Sequence, residues 1–346
     1  MQKIVVHLNF AKGFRGGERQ TLLLIQELSK VGIHQKLLVR KNSALTQRLK
    51  TTKNLTIIEI AKPYILSIKQ IKDATLIHAH ETKALQFAYF AHKITRIPYI
   101  VTRRVDNKIK NNFLNKKLYN SASRVVALSH AIKKEIIKVA PNANIEIIPS
   151  AFTGASLNQN SINKIRSQYK DKFIIGHVGA LDDGHKGQSF LIKAAKILEK
   201  PHPDMHFVFV GGGADENILK SQAKSLKNVT FEGFVNNVND FISCFDLFVF
   251  PSRNEGLGSI LFDVMQLNVP IIASNVGGIP DIIHDKKNGL LIPTCDENAI
   301  VQAILTLYND KRLREALSVK AKNSIDKYST ENMKNRYLDI YHLEDS

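Results

Sequence analysis

Leu247-Phe248-Val249-Phe250-Pro251-Ser252-Arg253-Asn254-Glu255-Gly256-Leu257-Gly258-Ser259 carries the chain from an apolar strand, through a glycine-broken turn, into the helical spacing of Leu257–Leu267. A short, continuously apolar strand followed at once by a helix is the building unit of a parallel sheet covered on both faces. The unit recurs in both directions. Around it, strands are predicted at Phe173–Leu181, His206–Gly212, Val229–Gly233, Pro270–Ser274 and Gly289–Pro293, and helices at Gln188–Glu199, Asp215–Ser225 and Glu297–Tyr308. The first half has the same rhythm, with strands predicted at Lys3–Phe10, Lys36–Arg40, Leu55–Ile60, Ala74–His80, Tyr99–Val105, Arg124–Ser129 and Ile145–Pro149. Amphipathic helices at Gly17–Val31 and Thr82–Thr95 lie between them, and Lys311–Lys327 and Thr330–His342 close the chain. The expectation is an α/β fold with two parallel sheets.

The chain has 346 residues, enough for about two domains, and the charge-poor stretch Ser150–Asn163 reads as the linker between them. Hydrophobic residues make up 44% and charged residues 23%, which excludes wholesale disorder. No apolar run approaches the ~20 residues of a membrane span. The apolar stretch near the amino terminus is too short for a secretory signal, and two cysteines cannot make a disulfide framework or a metal cluster. A soluble cytoplasmic protein is predicted.

The net charge is +18, and it is unevenly spread. Residues 1–150 hold 27 Lys and Arg against 8 Asp and Glu; the remainder holds 22 against 23. Six of the basic residues fall within Arg103–Lys117, among Phe113, Leu114, Leu118 and Tyr119. A half-chain so basic suits a polyanionic partner, whether nucleic acid, an anionic membrane surface or a phosphorylated substrate.

Glycine turns follow several strands. Gly13-Phe14-Arg15-Gly16-Gly17-Glu18 leads into a helix; Gly179, Gly211-Gly212-Gly213 and Gly277-Gly278 follow later strands. Open α/β sheets bind ligands at the carboxyl ends of their strands, where free N–H groups at a helix start attract anions. Glu255 lies in the turn after Phe250, and Asp263 is eight residues further on, roughly 12 Å if the intervening segment is fully helical. Two carboxylates flanking free amides at Gly256, Leu257, Gly258 and Ser259 would span a nucleotide sugar.

This ordered set of motifs resembles the GT-B glycosyltransferases of family 4, which build bacterial lipopolysaccharide, capsule and glycolipids. The likeness covers nearly the whole chain: Gly16-Gly17, His80, Gly179 with Lys186-Gly187, Gly211–Gly213, Pro251-Ser252 with Glu255 and Asp263, and Gly277-Gly278-Ile279-Pro280. It implies two Rossmann-like domains facing a deep cleft. The first, over 1-152, would bind the acceptor, and the helix 330-346 would pack back on it; the second, over 160-328, would bind the nucleotide sugar. The expected function is transfer of a hexose-type sugar from a nucleotide-diphosphate sugar, UDP by default, to a cell-envelope glycan or glycolipid. Retention of configuration is implied as well; with side-chain cations available and no paired-acid metal signature in the sequence, no metal or cofactor is expected.

The resemblance makes His80, Glu255 and Lys186 the catalytic candidates, with Glu255 at the donor sugar and Asp263 at the ribose. Gly16, Gly17, Gly179, Gly212, Val235, Arg253, Gly256, Leu257, Gly258 and Ser259 would complete the donor site. Arg15, Glu18, Arg103 and Arg104 are candidates for acceptor or phosphate contact. Two positions depart from the family pattern: Asp263 stands where Glu is usual, and Ala180 where an Arg usually helps neutralise the diphosphate. Arg103, Arg104 or Arg253 is expected to supply that cation. The basic first half would dock the protein peripherally on the inner face of the plasma membrane. Three alternatives stay open: a GT-B nucleotide-sugar 2-epimerase, a catalytically silent sugar-binding homologue, and a basic nucleic-acid-binding protein, although no RNP-like or zinc-finger motif for specific nucleic-acid recognition is present.

Overall fold

The computed structural model describes residues 3–14 and 16–342. They divide into two compact units, the first made of those up to 151 together with 328–342, the second of 152–327. The first unit contains strands β1 (Ile4–Asn9), β2 (His34–Arg40), β3 (Leu55–Ile60), β4 (Leu76–Ala79), β5 (Tyr99–Arg103), β6 (Arg124–Ala127) and β7 (Ile145–Ile147). They form one sheet in the order β3-β2-β1-β4-β5-β6-β7, and every neighbouring pair is parallel. Strands β4 and β5 are buried along their whole length, which explains why they read as unbroken apolar runs rather than alternating ones.

The second unit contains β8 (Phe173–Val178), β9 (Met205–Val210), β10 (Val229–Gly233), β11 (Leu247–Phe250), β12 (Ile271–Ser274) and β13 (Leu290–Ile292). Their order is β10-β9-β8-β11-β12-β13, again all parallel. In each sheet the order reverses once, between β1 and β4 in the first and between β8 and β11 in the second. The carboxyl ends of those strand pairs are the switch points at which open parallel sheets bind ligands.

The core of the second unit closes around Phe207, Phe209 and Leu247, with the helices Gln188–Leu198 and Glu297–Asn309 packed on it. Full burial of each such phenylalanine contributes about 1.5–3 kcal/mol. In the first unit, the helix Gly16–Lys30 lays Leu23, Leu24 and Leu28 on the sheet. The helix Thr330–Tyr341 joins the same cluster through Met333, Tyr337, Ile340 and Tyr341. Of the stretch 330–346 read as a terminal helix, residues 343–346 lie outside the described residues.

Three local expectations need correction. The Ser150–Asn163 linker is helical from Gln159, because Asn158 accepts the Ser161 N–H and caps a helix there. The helix expected from Leu257 begins only at Ile260, so the span from Glu255 to Asp263 is not fully helical and the 12 Å estimate does not hold. In the basic segment the helix Phe113–Asn120 buries Leu118 and Tyr119 in the core; Phe113, 76% exposed, and Leu114 face solvent. No helix among the described residues is long and apolar enough to cross a membrane.

Candidate active site

In the second unit the turns after β8 and β11 meet. Lys186 ends the short helix Asp183–Lys186, and its Nζ forms an ion pair with the Glu255 carboxylate from the turn after β11. The ammonium lies 4.9 Å from the centre of the Phe250 ring. Both side chains are mostly buried. A charge pair with few waters around it interacts more strongly than a surface pair, and either partner left alone would be costly.

The backbone under this pair is set by glycines. Gly187 has φ +65°, and a Cβ there would overlap the Pro251 carbonyl oxygen. Gly277 has φ +58° and lies against the Glu255 carbonyl oxygen, which also accepts the Gly278 N–H at 2.9 Å. The Gly-Gly-Ile-Pro-Asp stretch therefore braces the turn that carries Glu255, with Ile279–Asp281 forming a single 3-10 turn. Gly179 donates its N–H to Val210, Gly212 accepts the Leu181 N–H, and Gly179, Gly212, Phe234 and Val235 help to line a cavity of about 240 Å³. Phe234 is 81% exposed, a free aromatic face at the rim.

Arg253 is held at the same switch point. Its Nη2 donates to Asp183 at 2.6 Å, its backbone N–H to His185 at 2.8 Å, and its guanidinium lies 4.8 Å from the Phe190 ring centre. Its Nε is buried with no hydrogen-bond partner among the described residues. Asp183, which the sequence does not single out, takes up much of the Arg253 charge. It also accepts the N–H and hydroxyl of Ser189, fixing the start of the helix Gln188–Leu198. Leu257 and Gly258 are buried, Ser259 is exposed, and Asp263 is buried in the first turn of Ile260–Gln266. The later helix start thus leaves Gly256 to Ser259 in an irregular turn rather than a helical one.

His177 was not anticipated. It lies fully buried in β8, and its Nδ1 donates to the Val249 carbonyl at 3.0 Å. Burial lowers its pKa to about 4.

The first unit has its own cavity, about 350 Å³, lined in part by Gly17, Glu18, His80, Arg103 and Arg104. Gly16 opens the helix behind it, and Arg15 lies outside the described residues. Absence of a side chain at Gly17 lets the Arg104 chain pass close, since a Cβ there would be 3.2 Å from Arg104 Cδ. Burial lowers the Arg104 pKa, with Tyr337, the Glu18 carboxylate and Tyr341 acting against that shift. Arg103 is buried and tied to the Tyr119 hydroxyl and the Asn107 carbonyl. His80, just past β4, is buried, with Arg104 Nη2 3.3 Å from its Nδ1.

Behind His80 is a cluster the sequence shows only in part. Strand alternation puts His78 and His80 on one face, with ring centres 3.9 Å apart. The parallel register of β1 with β4 sets His7 opposite His78, and His7 Nδ1 lies 3.0 Å from His80 Nε2. His78 meets the Tyr341 hydroxyl at 2.5 Å and Thr102 Oγ1 at 2.7 Å, and Thr102 meets the Tyr337 hydroxyl at 2.9 Å. Burial lowers the His7 pKa to about 4; His78 and His80 fall well below the usual value for the same first cause, with the neighbouring rings and Arg104 adding to it. Periodicity gives the face of a strand but not its register against a distant partner, so His7, Gln35, Tyr337 and Tyr341 carry no local signal.

Both units of the chain are similar to known proteins. The family described as "Glycosyltransferase Family 4" matches residues 14–152, and "Glycosyl transferases group 1" matches residues 158–324. Capsular polysaccharide biosynthesis glycosyltransferase CapM of Staphylococcus aureus is 26% identical over 61% of this chain and 59% of its own length. The N-acetylgalactosamine-N,N'-diacetylbacillosaminyl-diphospho-undecaprenol 4-alpha-N-acetylgalactosaminyltransferase of Campylobacter jejuni is 28% identical over 62% of this chain and 59% of its own length. The chain thus spans about three fifths of the length of these two curated relatives. The crystal structure of Anabaena Alr3699/HepE in complex with UDP and glucose superposes with a TM-score of 0.85 over 99% of this chain and 100% of that one, at 19% identity. With both units matched and both sheets shared, the chain belongs to glycosyltransferase family 4 and has the GT-B fold.

Proposed function

We propose that the chain transfers a hexose-type sugar from a nucleotide-diphosphate donor, a UDP-sugar by default, to a cell-envelope glycan or glycolipid. The observation that carries this reading is the Lys186–Glu255 pair at the β8/β11 switch point. Glu255 offers a carboxylate to sugar hydroxyls and Lys186 a cation to the diphosphate, so a donor would separate the pair and take both partners. The Gly179–Val235 cavity beside it would hold the nucleoside, with Asp263 at the ribose.

In the proposed reaction the bond from the anomeric carbon to the diphosphate oxygen breaks, and its electron pair leaves with the phosphate. Lys186 and turn N–H groups stabilise that charge as preorganised donors. The acceptor hydroxyl oxygen forms the new bond and passes its proton to the departing phosphate on the same face, which retains configuration. Lys186, with Arg253 near it, carries the charge compensation, so the reading is metal-independent. The acceptor would use the cavity of the first unit, where Arg103 and Arg104 suit a phosphate group. That UDP and glucose are bound to HepE supports the donor class, and the undecaprenol-linked acceptor named for the Campylobacter enzyme supports the acceptor class. Peripheral docking on an anionic inner leaflet through the basic half belongs to the same proposal.

Thermal unfolding with UDP, GDP, ADP and CMP tests the donor half. A nucleotide at about 100 times its Kd adds roughly 2.7 kcal/mol, so UDP should raise the Tm measurably and CMP should not. No rise with any of the four would overturn the reading. Transfer from UDP-sugars that continues undiminished in chelator would uphold metal independence; loss restored by a divalent ion would overturn it.

A further inference from the structure

The three histidines of the first unit look at first like a metal cage, since one nitrogen of each lies within 4.8 Å of the others. Their hydrogen bonds say otherwise. His7 uses Nδ1 toward His80 and Nε2 toward Gln35; His78 uses both nitrogens on Tyr341 and Thr102; His80 uses Nε2 toward His7 and Nδ1 toward Arg104. Every ring nitrogen already has a protein partner, so a cation would have to displace several buried hydrogen bonds.

The chain of partners has a direction. Gln35 Nε2 donates to the Ile25 carbonyl at 3.1 Å, which turns Gln35 Oε1 toward His7 Nε2 at 3.0 Å. An amide oxygen only accepts, so His7 carries its proton on Nε2. A neutral imidazole has one N–H, and His7 Nδ1 is therefore an acceptor. Its partner, His80 Nε2, must donate. The remaining nitrogen of His80, Nδ1, then holds a lone pair, and it is the atom that faces the Arg104 guanidinium, a pure donor. Each bond in the series agrees with the next, from a backbone carbonyl to the wall of the cavity.

We propose that Gln35 and His7 are positioning residues that lock His80 as its Nε2–H tautomer, so the cavity receives an acceptor at Nδ1 and never an N–H. The ligand group that fits takes the place of the Arg104–His80 hydrogen bond: it bears a hydroxyl to donate to His80 Nδ1 and, next to it, an oxygen to accept from the Arg104 so released. A sugar hydroxyl beside a second oxygen has that chemistry. This role toward a sugar rests on the glycosyl-transfer reading; the tautomer does not. Because burial keeps His80 neutral at pH 7, Nδ1 orients the hydroxyl rather than holding a full proton.

Long-range proton–nitrogen correlation spectra of the full-length, 15N-labelled protein at pH 7 read the tautomer of His80 directly. The expected spectrum shows Nε2 protonated and Nδ1 bare. His7→Leu removes the acceptor and should shift His80 toward the other tautomer or a mixture. His7→Asn places a side-chain oxygen near the lost Nδ1 lone pair and should restore the parent pattern. Gln35→Leu, a second and milder variant, should loosen the preference as His7→Leu does. A parent spectrum with Nδ1 protonated, or an unchanged His80 pattern in both Leu variants, would overturn the proposal. In transfer assays His7→Leu should lower kcat at least tenfold with KM within about threefold, and His7→Asn should recover most of it. If the spectra behave as expected but no UDP-sugar is transferred by the parent, the tautomer assignment stands and the sugar role falls.

Discussion

Gly277 packs against the backbone carbonyl of Glu255 so closely that any side chain at position 277 would overlap that oxygen. With φ at +58°, only a residue without Cβ sits there unstrained. Gly277→Ala is expected to cost about 2 kcal/mol or more, from a left-handed conformation worth roughly 1–2 kcal/mol and from the displaced turn. The same variant should lose UDP-induced stabilisation, because the turn that moves is the one holding Glu255. Chemical denaturation with and without UDP measures both effects.

Lys186 is held by Glu255, so each should be felt when the other is changed. On the glycosyl-transfer reading, Lys186→Met removes a charge aimed at the leaving diphosphate and should lower kcat/KM by about 10²–10³. Steady-state kinetics checks this. Glu255→Gln should also weaken the enzyme, and the double variant should be less damaged than the two losses added together, since both act on one pair.

Acid should unfold the protein early. His7 and His177 each have a native pKa near 4 against an ordinary value of 6.5, and His78 and His80 are lowered as well. A lowered native pKa means the unfolded chain binds more protons below 6.5, so stability is complete above that pH. It then falls as the pH drops toward the native values near 4. Each such ring steepens the fall by up to about 1.4 kcal/mol per pH unit. Urea midpoints between pH 7.5 and 5 measure the slope. His177→Gln should make it shallower by about one ring's share, even if it lowers stability at pH 7.5.

Flotation with liposomes tests docking by the basic half. Phe113 is exposed and Lys117 lies 5.3 Å from its ring centre, giving an apolar tip beside a positive charge. Binding to anionic vesicles is expected at low salt and should fade at high salt. Each surface Lys near the membrane contributes about 1 kcal/mol, so Lys116→Glu with Phe113→Ser should cut binding tenfold or more. Salt-insensitive binding, or none, would count against membrane docking.

Strands were the most legible part of the sequence, because β-branched and aromatic residues buried on both faces leave unbroken apolar runs such as Leu247–Phe250. Sheet order was not written in any one segment. Helix starts were harder: Leu257 is apolar and buried yet precedes the helix, since Gly258, at φ +84°, turns the chain before Ile260. The apolar pattern could not tell a core residue from a surface one at Leu118 and Phe113, which lie on the same short helix and face opposite ways. At the candidate site, Glu255 was legible from its turn after an apolar strand, and Lys186 from the family resemblance alone. Those brought in by register or by the returning helix, His7, Gln35 and Tyr341, were not.

The returning helix Thr330–Tyr341 also bears on how the molecule comes into being on the ribosome. The first sheet and its histidines are synthesised early, but two of the hydroxyls that satisfy them, from Tyr337 and Tyr341, emerge only after the whole second unit has been made. A nascent chain holding only residues 1–151 would leave the His78 ring without one partner and part of its apolar cluster uncovered, an aggregation-prone half-product. Completion of the unit made first waits on a helix translated after the whole of the second.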